Sequence, residues 1–206
     1  MPKVHVLDRE DRWDRNNEDE YLWWPRVLWM DPGVVSGVAI VWFDPKALID
    51  RSKTVKMLLA YSELFLHGPE NGATGQIAHY LKLRQTLDEE PGLATGIESF
   101  TPRQLNQSWE FYAPMRIRAG LEYPLSRTKP LGSDVVGKGV PLHTQSPSEA
   151  ITTFSNDRLR ALNMYTPGPD HVNDAKRHTL LHIRKMVGDL DRFKDMHGYE
   201  EGWFGR

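Results

Sequence analysis

The chain has 206 residues, 39% hydrophobic and 26% charged, with a formal net charge of −2 and no cysteine. That length supports one domain with a sizeable core. The lack of cysteine excludes disulfides, thiolate zinc sites and cysteine nucleophiles, and leaves oxygen-coordinated Mg²⁺ or Mn²⁺ and histidine-containing sites open.

No stretch reads as a signal peptide or as a membrane span, so a cytoplasmic location is expected. Charge is uneven along the chain. Residues 1–20 hold seven acids and four bases, which leaves 22 bases and 21 acids elsewhere. Residues 1–25 are therefore expected to form a charged extension, largely outside the core. Residues 102–138 carry six bases and three acids, enough for a local basic face on a near-neutral protein.

The first long element is the run from Arg26 to Asp31, an apolar strand that ends in Asp31-Pro32-Gly33. A second strand is expected over 37–43, after Ser36-Gly37, and the pair reads as strand, tight turn, strand. A turn-rich segment, 44–53, leads to a third strand over 55–64. A loop over 67–75 precedes a helix over 76–87, with Ile77, Tyr80, Leu81 and Leu87 inward.

The run 94–100 reads as a short buried strand carrying Glu98. Pro102 opens the next helix, expected over 102–120 with Leu105, Trp109, Tyr112 and Arg116. Residues 121–140 read as a loop, 141–145 as a strand, and 148–163 as a weak helix. A last long helix is expected over 170–187, with Asp170 as its N-cap, and residues 188–206 as a tail. The order β-β-β-α-β-α-β-α-α describes one mixed α/β domain.

Three acids recur at the ends of these elements: Asp31, Glu98 and Asp174. A buried, unpaired carboxylate is expensive, so Glu98 within a buried strand points to a site. At 100° per residue, His171, Asp174, His178, His182 and Lys185 fall within about 80° on the last helix. Val172, Ala175, Thr179, Ile183 and Met186 form a separate stripe that can pack on a sheet.

Together these motifs resemble the RuvC branch of the RNase H-like nucleases. The shared pattern is Asp31-Pro32-Gly33 with Ser36-Gly37, then Ile97-Glu98, then Gln145-Ser146-Pro147, then His171-Val172-Asn173-Asp174-Ala175. It spans roughly residues 26–187, the expected nuclease domain. The resemblance implies an RNase H-like fold, a five-stranded mixed sheet flanked by helices.

The resemblance also implies metal-dependent cleavage of phosphodiester bonds in branched DNA. Such hydrolysis needs an activated water and a stabilised leaving oxygen, which two divalent ions about 3.5–4 Å apart can supply. Asp31 would bridge the ions, Glu98 would hold one, and Asp174 with His171 the other. Mg²⁺ is the expected ion, with Mn²⁺ tolerated. His178 would orient a ligand or carry a proton.

Phe100 stands near the place where the family commonly carries an aromatic wedge. Arg103, Arg116, Arg118, Arg127, Lys129 and Lys138 are candidate phosphate contacts by position. The expected activity is Holliday junction resolution by a homodimer, leaving 5′-phosphate and 3′-hydroxyl ends, as in the compact resolvases encoded by phages.

Other readings fit parts of the pattern. The same site serves a flap or replication-fork endonuclease. An actin-like ATPase also begins with Asp-x-Gly, but GIESFTP lacks the second glycine-rich phosphate motif. A junction-binding protein without cleavage is a third reading. Gly132-Ser-Asp-Val-Val-Gly137-Lys138 has phosphate-loop spacing, yet Gly139 stands where Ser or Thr should follow and Pro141 prevents an immediate helix. His178 and His182, four residues apart, form only a weak zinc pattern.

Overall fold

The computed structural model describes residues 4–6, 25–43, 58–67, 72–87, 92–100, 109–127, 141–168 and 170–197. Six strands form one sheet: β1 (Val4–Val6), β2 (Arg26–Asp31), β3 (Val35–Phe43), β4 (Leu58–His67), β5 (Leu93–Glu98) and β6 (Leu142–Gln145). Their order is β1-β4-β3-β2-β5-β6. β2, β3 and β4 are joined antiparallel, whereas β5 and β6 continue the sheet parallel to β2.

The helices are α1 (Gly72–Leu87), α2 (Trp109–Arg127), α3 (Pro147–Thr153), α4 (Asn156–Ala161), α5 (Asp170–Met186) and α6 (Leu190–His197). Among the described residues no helix is long and apolar enough to cross a membrane.

Alternation along β2 decides which residue goes to which face. Leu28 and Met30 join a cluster with Val38, Ile40, Tyr80, Ile97, Ile117 and Leu121, under α1 and α2. Val27 and Trp29 join the opposite cluster with Val41, Phe43, Phe154, Leu180, Ile183 and Phe193, under α5 and its neighbours. Side chains alternate along a strand, so Asp31, two residues after Trp29, faces α5. The same count from Ile97 sends Gly96 and Glu98 to that face. Gly96 has no side chain because Trp29 occupies its place: a Cβ there would run into the indole ring.

All five expected strands are present, and a sixth lies within the extension. Val4–Val6 pairs antiparallel with β4, with Val4 opposite Leu64. A three-residue Val-His-Val run in an acid-rich stretch is too short to show a period.

Four expectations about helices are corrected. First, the helix expected over 102–120 covers Trp109–Arg127, so part of the expected 121–140 loop is helical; residues 101–108 and 128–140, with the phosphate-loop-like segment, lie outside the described residues. It passes through Pro114 and Pro124. A proline inside a helix costs about 3 kcal/mol, and burial of Ile117, Leu121 and Leu125 offsets that.

Second, the helix expected over 148–163 is two short ones. Phe154 buries its ring between them, and Ser155 caps α4 by accepting from the Arg158 N–H at 3.4 Å. Third, the helix expected from Gln76 starts at Gly72.

Fourth, residues 188–197, expected as tail, hold α6. Gly188 takes φ 74° just past α5, where glycine ends helices. Asp189 then accepts from the Arg192 N–H at 3.0 Å, as an N-cap does. Phe193 and His197, one turn apart, are buried against Phe43.

Candidate metal-dependent active site

The site forms where three adjacent parallel strands end. Asp31 closes β2, Glu98 closes β5 and Gln145 closes β6, with Glu98 opposite Gln145 in register. Ligands in open α/β sheets bind at the carboxyl ends of the strands. α5 crosses this end and supplies His171, Asp174, Arg177 and His178.

The turn after Asp31 is fastened from a distance. The Gly33 N–H donates to Ser36 Oγ at 3.1 Å. Gln76 of α1 donates to the Gly33 carbonyl at 3.2 Å and the Val34 carbonyl at 2.8 Å, and its Oε1 accepts from the Ser36 hydroxyl. Sequence reasoning missed Gln76, which carries no motif. A buried polar residue on the inner face of a helix was the available signal.

Each acid is engaged by a base of α5. Asp31 Oδ2 lies 2.6 Å from His171 Nδ1. Glu98 Oε2 lies 2.9 Å from His178 Nε2. Asp174 is ion-paired with Arg177, whose Nε also donates to the Phe154 carbonyl at 2.9 Å and whose far amino group meets Asn156. α5 is accordingly buried nearly all round. His178 and His182, expected on a polar face, are buried, and they diverge: His178 goes to Glu98, His182 to His197.

Burial pushes the Asp31 carboxyl up to about 6; the charge of Glu98 adds to this, and the hydrogen bond from His171 works against it. Burial likewise raises Asp174, with Glu98 contributing and Arg177 opposing. The hydrogen bond to Asp31 raises His171. The charge of Glu98 thus reaches both Asp31 and Asp174.

Among the described residues no three His, Asp or Glu side chains stand at metal-ligating spacing. The donor set nevertheless fits a divalent cation. Burial raises the proton affinity of Asp31 and Asp174, so a cation there would offset the cost of ionising them, and oxygen donors with one imidazole suit Mg²⁺ or Mn²⁺.

Two other residues anchor the approach to α5. Asn173 is paired with the Thr166 backbone, accepting from its N–H at 3.0 Å and donating to its carbonyl at 2.8 Å. Buried Lys176 donates to the Met164 carbonyl at 2.7 Å and the Thr166 hydroxyl at 2.5 Å. Asp170, expected as the N-cap, is the first residue of α5 and is exposed.

The candidate DNA contacts fall differently. Arg116 and Arg127 are exposed on α2, Arg127 lying over the Tyr123 ring at 5.2 Å. Arg118 is tied to Glu122 at 2.7 Å. Phe100 is half-buried, edge-on to Phe111 with centroids 5.4 Å apart. Arg103, Lys129 and Lys138 lie outside the described residues.

The structure aligns with that of RuvC from Thermus thermophilus with a TM-score of 0.51, over 81% of this chain and 97% of that one, at 15% identity. The chain has the RuvC fold. T. thermophilus RuvC in complex with Holliday junction substrate also aligns, with a TM-score of 0.48 over 80% of this chain and 97% of that one, at 17% identity. No family model matches the sequence, and no curated protein matches it.

Proposed function

We propose that the protein is a metal-dependent, structure-selective DNA endonuclease that resolves Holliday junctions. The observation that carries this reading is positional. In a chain with the RuvC fold, Asp31, Glu98 and Asp174 gather at the carboxyl end of the sheet, close enough that the charge of Glu98 raises the proton affinity of the other two.

Asp31, Glu98, Asp174 and His171 would hold the metal. A bound divalent cation supplies an activated water and stabilises the charge on the leaving oxygen. The chain's own residues do the rest. His171 keeps Asp31 turned into the site. Arg177 fixes Asp174 against the joint between α3 and α4. Arg116 and Arg127 would contact phosphates, with Arg103, Lys129 and Lys138 as further candidates, and Phe100, just past the end of β5, would be the aromatic wedge. Four-way junctions need two symmetric cuts, which a two-fold homodimer provides.

A panel of labelled substrates tests the reading: a four-way junction, a 5′ flap, a replication fork and linear duplex, each in Mg²⁺, Mn²⁺ and EDTA. Paired, symmetric, metal-dependent nicks in the junction are expected. Cleavage confined to flap and fork would replace junction resolution with fork processing. Binding without cleavage of any substrate would refute the nuclease reading.

A further inference from the structure

We propose that His178 is a positioning residue that fixes the carboxylate of Glu98 for metal binding, held in turn by Gln145 and Trp29. This rests on the nuclease reading, in which Glu98 is a metal ligand.

His178 is fully buried, and both its ring nitrogens have partners. Nε2 lies 2.9 Å from Glu98 Oε2, and Nδ1 lies 3.0 Å from Gln145 Oε1. The carboxamide of Gln145 presents an acceptor and a donor from one group, so the bridge survives either way of turning it. Trp29 stacks on the imidazole with centroids 5.6 Å apart and planes 10° from parallel. The stack fixes the ring plane, and Gln145 fixes the rotation within that plane. Nε2 then has one direction in which to point, and Glu98 lies there.

The fold builds this bridge from three places. Glu98 and Gln145 are register partners on neighbouring parallel strands, and the Ser99 N–H donates to the Gln145 carbonyl at 2.8 Å just beyond them. His178 comes down from α5 one turn after Asp174. Gly96 leaves room for the indole that supports it.

A free glutamate on three torsions loses rotamer freedom when it is ordered. Ordering it in advance strengthens metal binding by sparing that loss. With Oε2 engaged by His178, Glu98 would have Oε1 left to offer a cation. Groups that orient metal ligands from behind commonly change affinity by about 10–100-fold when removed.

The test is Mn²⁺ binding to the purified full chain, read from the EPR signal of free Mn²⁺. The variants are His178→Asn, His178→Gln, Gln145→Met and Asp31→Asn. Glutamine reaches close to the Nε2 position and asparagine reaches only the Nδ1 position. His178→Asn is expected to weaken Mn²⁺ binding at least about 10-fold, and His178→Gln no more than about 3-fold. Gln145→Met should fall between them, and it carries the test if His178→Asn does not fold.

In cleavage, the His178→Asn defect should appear as a higher Mn²⁺ concentration for half-maximal rate, with the saturated rate near wild type. Equal binding by the Asn and Gln variants, or unchanged binding in Gln145→Met, would overturn the proposal. If Asp31→Asn alone loses Mn²⁺, the positioning role fails and the nuclease reading stands. If the wild type binds no Mn²⁺, both fall.

Discussion

Gly37 and His171 meet backbone to backbone. A Cβ added at position 37 would lie inside the His171 carbonyl group and 2.5 Å from the Val172 nitrogen. Gly37 is also the register partner of Asp31. One missing side chain therefore lets the start of α5 settle directly against the sheet, which puts His171 within hydrogen-bond reach of Asp31.

Gly37→Ala should push α5 off the sheet. The clash is with backbone, which cannot move aside by a rotamer change, so a drop in stability of more than about 2 kcal/mol in urea unfolding is expected. Cleavage should fall with it even at temperatures where the variant is folded. A variant with wild-type stability and rate would show that the close approach is not required.

Asp31 makes the metal-free protein less stable. Its carboxyl titrates near 6 in the native state against 3.8 as its ordinary value. Between those values the native state binds more protons than the unfolded one, so this group's contribution to stability falls as pH rises from 4 to 6. At pH 8 the cost is up to about 3 kcal/mol. Asp31→Asn removes it. The metal-free variant should melt above wild type at pH 8, and the gap should close below pH 4. A variant less stable than wild type at pH 8 would contradict the burial argument. In the wild type, Mn²⁺ affinity should drop as pH falls below 6, where protons compete for Asp31.

α6 should detach in acid. His197 Nδ1 donates to the Gly92 carbonyl at 2.7 Å, and its Nε2 faces His182 Nε2 at 3.4 Å. Burial lowers the His197 pKa to about 4, helped by the charge of His143, and burial puts His182 well below the ordinary histidine value, with His197, His143, Arg192 and Lys185 adding to it. The unfolded state takes up these protons near pH 6.5 and the native state does not, so stability falls as pH drops from 6.5 to 4. His197 alone accounts for about 3 kcal/mol. His197→Phe should flatten that slope in thermal melts between pH 4.5 and 7. An unchanged slope would remove His197 as its source.

Arg116 and Arg127 are expected on the DNA side of α2. Replacing each by alanine should reduce the slope of log affinity against log salt by about 0.9 for every phosphate that is no longer neutralised. Arg118→Ala should change the slope less, because Arg118 already neutralises Glu122. Equal slopes for all three variants would take α2 off the DNA face.

Much of the fold was legible because the strands are near-continuous apolar runs. Alternation puts Asp31 on the face of Trp29 and Glu98 on the face of Gly96, but that the two faces are one follows only from the pairing of Trp29 with Gly96. The pairing of acids with bases was not legible. Arg177 is an ordinary helix residue until the α3–α4 joint offers the Phe154 carbonyl and Asn156. Gln76 acts on a turn more than forty residues away in sequence, and only the packing of α1 brings it there. α6 was signalled by Gly188-Asp189 and by the spacing of Phe193 and His197, but a charged, tryptophan- and glycine-containing end masks so short a helix.

The most direct test is junction cleavage by wild type and Asp31→Asn under conditions where both bind the same labelled four-way junction. Wild type should nick two opposing strands at symmetric positions in Mg²⁺ and do nothing in EDTA, while Asp31→Asn should bind the junction and leave it uncut. Paired nicks made by Asp31→Asn at the wild-type rate would contradict a site built on Asp31.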